Sequence, residues 1–305
     1  FSCERKCLIM KKTFRVIALG LSALMIAASL AGCTKKDDTN SDVKNDVKQE
    51  QKSDDKKVEI TFAAKTSTMS AQLTESYAEK YGFKISYYED SPTMYTAVMN
   101  GTNAACYEDR SVVGWAIKEE GLALKTIGDV ENPASYGFAV KKGTNEDLLA
   151  MFNAGLANIK NNGKYDEILA KYGYGDKIYK DESAERVESG ITPERTYVIY
   201  SDNAFAPFEF LDTETNEYTG VDMDVLAAIA EDQGFKYEMH NEGFDASMGA
   251  VQSGQADAMI AGMTITDERK ETFDFSDGYF EDGQILVVPA DSTAESIEDI
   301  VGVAK

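Results

Sequence analysis

Hydrophobic and polar side chains alternate over residues 58–62, with Val58, Ile60 and Phe62 set against Glu59 and Thr61, and again over 83–87. Alternation of this period predicts two strands, and residues 70–80 between them read as a helix, so the three segments make a strand-helix-strand unit. Further strands are predicted at 104–107 and 136–140, with a helix at 111–119. Leu148, Leu149, Phe152, Leu156 and Ile159 recur at helical spacing until Asn161-Asn162-Gly163 closes the run, and residues 165–172 make a second, short helix. A polar, acidic stretch over 176–194 then breaks the pattern. Beyond it, strands are predicted at 196–200, 235–239, 258–261 and 285–288, and helices at 221–232 and 246–253. Elements alternating in this way predict an α/β fold with mostly parallel sheets, in which ligands sit beyond the carboxyl ends of the strands.

The first part of the chain follows a different pattern. After Met10 come Lys11-Lys12, an apolar run over 16–30, and Leu30-Ala31-Gly32-Cys33. A charged start, an apolar middle and small residues at the end describe a secretory signal. The run of about 15 residues is shorter than the roughly 20 that span a bilayer, which argues against a membrane helix. The Leu-Ala-Gly-Cys ending resembles the lipobox of bacterial lipoproteins, which implies that Cys33 is acylated, palmitate included, and anchors the mature chain by lipid. Residues 1–8 precede a plausible start and read as upstream readthrough, so 1–32 are set aside with Cys3 and Cys7. Only Cys106 remains for the folded part, and no disulfide within the chain is expected. Residues 33–57 are rich in Lys, Asp, Asn, Ser and Gln and too poor in apolar side chains to offset the entropy of ordering; they read as a flexible polar tether.

Charge and composition narrow the chemistry. The chain carries 31 basic and 53 acidic residues, a net charge of −22. Without 1–32, which hold five basic residues and one acidic, 26 basic face 52 acidic. Such a field repels phosphate backbones, so nucleic acid is not an expected partner. His240 is the only histidine, and neither a CxxC pair nor a GxxxxGK[ST] loop occurs. No metal site and no cofactor are expected, and acid–base catalysis would fall to carboxylates alone. An enzyme is therefore not the expected reading.

Four motifs stand in order within about 80 residues: Asp202-Asn203-Ala204-Phe205-Ala206-Pro207-Phe208-Glu209-Phe210, Gly220-Val221-Asp222-Met223-Asp224, residues 261–270 from Ala261-Gly262-Met263-Thr264 to Glu268-Arg269-Lys270, and Phe273-Asp274-Phe275-Ser276-Asp277-Gly278-Tyr279. Together they resemble the first lobe of family 3 of the bacterial extracellular solute-binding proteins. The earlier half resembles that family's second lobe, through Ala64-Lys65-Thr66-Ser67-Thr68, Tyr107-Glu108-Asp109, residues 136–143 and residues 161–168. The resemblance implies a two-lobed clamp of the periplasmic-binding-protein type II kind, built from 58–140 as second lobe, 141–175 as a helical return segment, 176–195 as an acidic linker and 196–305 as first lobe. A usual member begins with its first lobe, whereas this chain begins with the second. Two readings follow: a piece of a tandem protein, or a circular permutant whose halves close on each other. In the second, Asp109 and Arg269 face one cleft.

A free amino acid dictates what such a cleft needs. Its α-carboxylate calls for a planar fork of donors, which Arg269 offers. The resemblance adds Thr264 for that carboxylate, the Gly262 carbonyl and Asp109 for the ammonium, and Phe205 and Phe244 as apolar walls. Asp202 is placed toward the ligand's side-chain end. Lys65, Thr66 and Thr68 precede a helix whose first amides suit a carboxylate, although the family carries glycines where Ser67 and Met69 stand. Trp115 and the methionines read as core, and His240 as exposed. Taken together these features predict a monomeric lipoprotein on the outer face of the cell membrane, or in a periplasm. It would capture glutamine, lysine or arginine and deliver it to the permease and ATPase of an ABC importer. The alternatives are a sensory or scavenging lipoprotein without transport, or a dehydratase-like enzyme on the same fold.

Overall fold

A computed structural model describes residues 59–303. The signal segment, Cys33 and the whole of the tether lie outside the described residues. The earlier half runs β1 (Thr61–Lys65), α1 (Met69–Tyr81), β2 (Lys84–Tyr88), α2 (Ser91–Met99), β3 (Ala105–Asp109), α3 (Arg110–Lys118) and the long β4 (Leu124–Tyr136). Local chemistry sets these boundaries. The Thr68 hydroxyl caps α1 by accepting from the Ala71 N–H, and Gly82, in the left-handed region, ends it. Asp90 caps α2, with Pro92 in its first turn. After β4 come β5 (Ala139–Lys141), α4 (Glu146–Asn161) and α5 (Lys164–Lys171).

The later half contributes β6 (Thr196–Ser201), a small meander of β7 (Ala204–Phe205), β8 (Glu209–Asp212) and β9 (Glu217–Thr219), then α6 (Val221–Gln233), β10 (Lys236–Asn241), α7 (Phe244–Ser253), β11 (Ala258–Met259), β12 (Phe273–Phe275), β13 (Phe280–Pro289) and α8 (Ile297–Val301). Two five-stranded sheets result, ordered β2-β1-β3-β13-β4 and β10-β6-β11-β5-β12. Four strands of each come from one half, and three of these pair with one another in parallel. The fourth position is filled from the other half: β13 pairs antiparallel with β3, and β5 pairs antiparallel with β11 and β12. Each lobe is thus finished by a strand from the opposite end of the sequence, and β4 with β13 forms a shared ribbon between the lobes. The architecture is a two-lobed α/β clamp.

Separate apolar clusters serve the two lobes. Phe62, Met94, Tyr95, Val98, Val113, Leu286 and Val287 belong to the first sheet's lobe. Phe138, Leu148, Phe152, Tyr197, Ile199, Val225, Leu226 and Ile229 belong to the second, where α4 packs on α6. Gly155 permits that approach, since a Cβ there would lie 2.7 Å from Ile229.

Several expectations are displaced. The segment 285–288, assigned with 196–305 to the later lobe, lies in β13 and completes the earlier one, and 139–140, assigned with 58–138, lie in the later lobe's sheet. The strand foreseen at 136–140 is two strands, divided at Gly137, whose missing side chain leaves room for Ile265. Trp115 is not core: it is half-exposed, its ring 5.5 Å from that of Phe210. The stretch 176–195 has no regular element, yet Asn158 holds it through both groups of its side-chain amide, donating to the Val187 carbonyl at 2.9 Å and accepting from the Val187 N–H at 2.8 Å.

Candidate ligand-binding cleft

The ends of β1 and β3 from one lobe meet the 261–269 loop, Phe205 and the start of α7 from the other. Lys65, Thr68, Asp109, Phe205, Phe244, Gly262, Thr264 and Arg269 line one cavity, together with Met69 and Ala261. Asp202, the ninth residue picked from the sequence, lies at its wall in contact with Lys65. Thr66 is absent from the lining. The side chains leave about 20 Å³ free, room for one water. A wider hollow of about 380 Å³ between α5 and α6 is lined mainly by charged side chains such as Lys164, Lys171 and Glu231, and gathers none of the nine.

Arg269 bridges the lobes. One guanidinium nitrogen donates to the Thr264 carbonyl and another to the Ser67 carbonyl, both at 2.9 Å. Its carbon stands 5.4 Å from the centre of the Phe244 ring, a cation–π contact. Burial pulls its pKa down to about 10, against the attraction of Asp109 and Glu268. Ser67 meets this donor from the left-handed region, at φ 60°. A residue with a Cβ is held there at some cost, in a conformation that glycine adopts freely.

Lys65 makes the second crossing. Its ammonium lies 2.5 Å from Asp202 Oδ2, and the two side chains are 3% and 1% exposed. The same nitrogen is 4.6 Å from the centre of Phe205 and 5.9 Å from that of Phe244. Burial drives the Lys65 pKa down, but the charge and hydrogen bond of Asp202 outweigh it and leave the value above that of a free lysine. The other oxygen of Asp202 accepts from the Asn203 N–H, so this residue serves its own turn and the cleft at once. Thr68 presents its hydroxyl to the Lys65 carbonyl and to the α1 cap, and so stiffens the turn.

Asp109 precedes α3 without capping it through its side chain. It accepts instead from Gln284 Nε2 at 2.7 Å, a residue of β13. Burial, with the Glu108 and Asp282 charges, pushes its carboxyl up, to about 8. Glu108 beside it is buried too, accepting from Ser91, Tyr95 and the Asp109 N–H. Gln284 was not found by sequence reasoning. The available signal was a lone amide in the otherwise apolar run 283–288. His240 lies away from the cleft, half-exposed and stacked on Tyr200, and Cys106 is a buried free thiol in β3.

The arrangement is that of a binding clamp: two opposed lobes, buried donors and a buried carboxylate at their junction, and aromatic walls. Residues 197–298, about a third of the chain, match the family model of bacterial extracellular solute-binding proteins, family 3. The "Probable histidine-binding protein" of Neisseria gonorrhoeae is 40% identical over 108 residues, covering 35% of this chain and 40% of that one. The arginine-binding extracellular protein ArtP of Bacillus subtilis is 34% identical over 98 residues, covering 32% and 38%. Among solved structures, substrate-binding domain 2 of GlnP from Lactococcus lactis, in an open conformation, is 52% identical over 27% of this chain and 36% of that one, with a TM-score of 0.27. The chain thus spans about 40% of the length of the first of these curated relatives.

Proposed function

We propose that this chain is the amino-acid-capturing component of an ABC-type importer, held at the outer face of the membrane through Cys33, and that its ligand is glutamine. One observation carries the reading: residues from both ends of the sequence, Lys65 and Asp109 on one side and Phe205, Phe244, Thr264 and Arg269 on the other, line a single cleft. Arg269 and Thr264 receive the α-carboxylate, and Asp109 with the Gly262 carbonyl receives the ammonium. The lobes open along the β4–β13 ribbon to admit an amino acid, for which the free space of about 20 Å³ is too small, and close again around it.

Lys65 separates the candidate ligands. A cationic side chain entering between the two phenylalanines would meet an ammonium already paired with Asp202. A carboxamide satisfies both partners, its oxygen accepting from Lys65 and its nitrogen donating to Asp202. Calorimetric titration with all twenty amino acids tests this. Glutamine should bind more tightly than arginine, lysine and histidine, and Lys65→Ala should shift the preference toward the cations. Tighter arginine binding by the wild type would overturn the Lys65 argument; no binding of any amino acid would overturn the capture reading itself.

A further inference from the structure

Behind the cleft, three buried carboxyl oxygens lack a hydrogen-bond donor: both of Glu209 and Oδ1 of Asp222. Both residues are fully buried, Glu209 at the start of β8 and Asp222 in the first turn of α6. The Asp222 N–H donates to the Phe208 carbonyl, which ties the two segments together. Gly220 allows that approach, since at φ +139° a Cβ would fall 2.0 Å from the Phe208 oxygen. The remaining oxygen of Asp222 is fully used: the Gly262 N–H and the Tyr279 hydroxyl both donate to it at 2.8 Å. The groups facing Glu209 are Asp222, Asp202 and Lys65, with Tyr279 across from it. Lys65, the one cation among them, is committed to Asp202.

Two ionised carboxylates packed this way would repel each other and leave their oxygens desolvated without donors, which proteins avoid. A single proton removes both faults. We infer that Glu209 is a carboxylic acid donating its proton to Asp222 Oδ1, and that this pair is the positioning element that fixes Gly262 at the mouth of the cleft. Gly262 has φ +52°, and an added Cβ there would lie 2.6 Å from the Phe205 ring. Its backbone is therefore set from behind by Asp222 and from the side by Phe205. Burial and the Asp222 and Asp202 charges hold the Glu209 proton well above the ordinary carboxyl range, against the pull of Lys65. Burial raises Asp222 as well.

The sign of the linkage gives the test. The unfolded chain releases the Glu209 proton just above the ordinary glutamate range and the folded chain keeps it, so stability falls as pH rises beyond that range. Urea unfolding of wild type, Glu209→Gln and Glu209→Ala across pH 5 to 9 reads this directly. Glutamine keeps the shape and a donor but has no proton to retain. The unfolding constant of wild type relative to Glu209→Gln should climb by up to about tenfold per pH unit, and Glu209→Gln should be more stable than Glu209→Ala. Parallel pH curves for wild type and Glu209→Gln, or a glutamine variant weaker than alanine, would overturn the shared proton. So would stabilisation of wild type alone by added Na⁺ or Ca²⁺, which would put a cation between the carboxyls. A binding arm, which rests on the capture reading, expects Glu209→Gln to recover affinity that Glu209→Ala loses. If no amino acid binds wild type, the capture reading fails while the unfolding arm still decides the proton.

Discussion

Replacing Arg269 by alanine should cost both ligand affinity and closure of the lobes. Its two hydrogen bonds at 2.9 Å end on carbonyls of opposite lobes, Thr264 and Ser67. Bonds from a charged donor are worth about 1.5–3 kcal/mol each, so the pair contributes roughly 3–6 kcal/mol before the burial of the cation is set against it. That burial is substantial, since it brings the guanidinium down to about 10 even against the attraction of Asp109 and Glu268. Adding the lost ligand carboxylate contact, a net loss of about 2–5 kcal/mol in binding is expected. From a micromolar ligand, about −8 kcal/mol, this moves affinity toward the millimolar range. Arg269→Lys keeps the charge but not the planar fork, reaches only one of the two carbonyls well, and should recover part of the loss. Calorimetry measures the affinity, and small-angle scattering with and without ligand measures the compaction. A variant Arg269→Ala that binds within about threefold of wild type and still compacts would refute the bridging role.

Three further outcomes are expected. Because an ionised Asp109 is needed for the ligand ammonium and its carboxyl is pushed up to about 8, binding should tighten by up to about tenfold per pH unit between about 6 and 8 and then level; titrations in that window that show a flat affinity contradict the role. Ser67→Gly removes a Cβ from φ 60° and should raise the unfolding free energy by about 1 kcal/mol, read by urea denaturation. Cys33→Ser should move the protein from the membrane fraction to the soluble one, and retention after a salt wash would assign the attachment to something else.

Much of the cleft was legible because its residues sit in short, locally ordered motifs. Phe205 stands in β7, and Gly262, Thr264 and Arg269 in the stretch between β11 and β12; the resemblance of these short motifs to one family, rather than periodicity, implied a common cleft. What stayed hidden depends on contacts remote in sequence. Residues 124–135 escaped recognition as a strand because β4 is the outermost strand of its sheet: its exposed positions carry Asp129 and Pro133, and the alternation is broken by positive φ at Gly128 and Asn132. The sheet that β13 joins was not readable either, since four apolar residues in a row fit any buried strand. Gln284 becomes meaningful only when β13 is set beside β3, and Glu209 only when α6 brings Asp222 over it.

The exchanged strands also govern the order in which the molecule can become native. As the chain is made from its N-terminus, β3 has no neighbour on one side until residues 280–289 arrive, while β5 must wait for 258–259 and 273–275. Neither lobe can therefore be completed from its own stretch of chain, and closing both sheets is a non-local event that is slow by topology. Through that interval two strand edges stand open to pairing with other chains. A chain stalled before residue 273 therefore holds two unfinished sheets rather than one finished lobe.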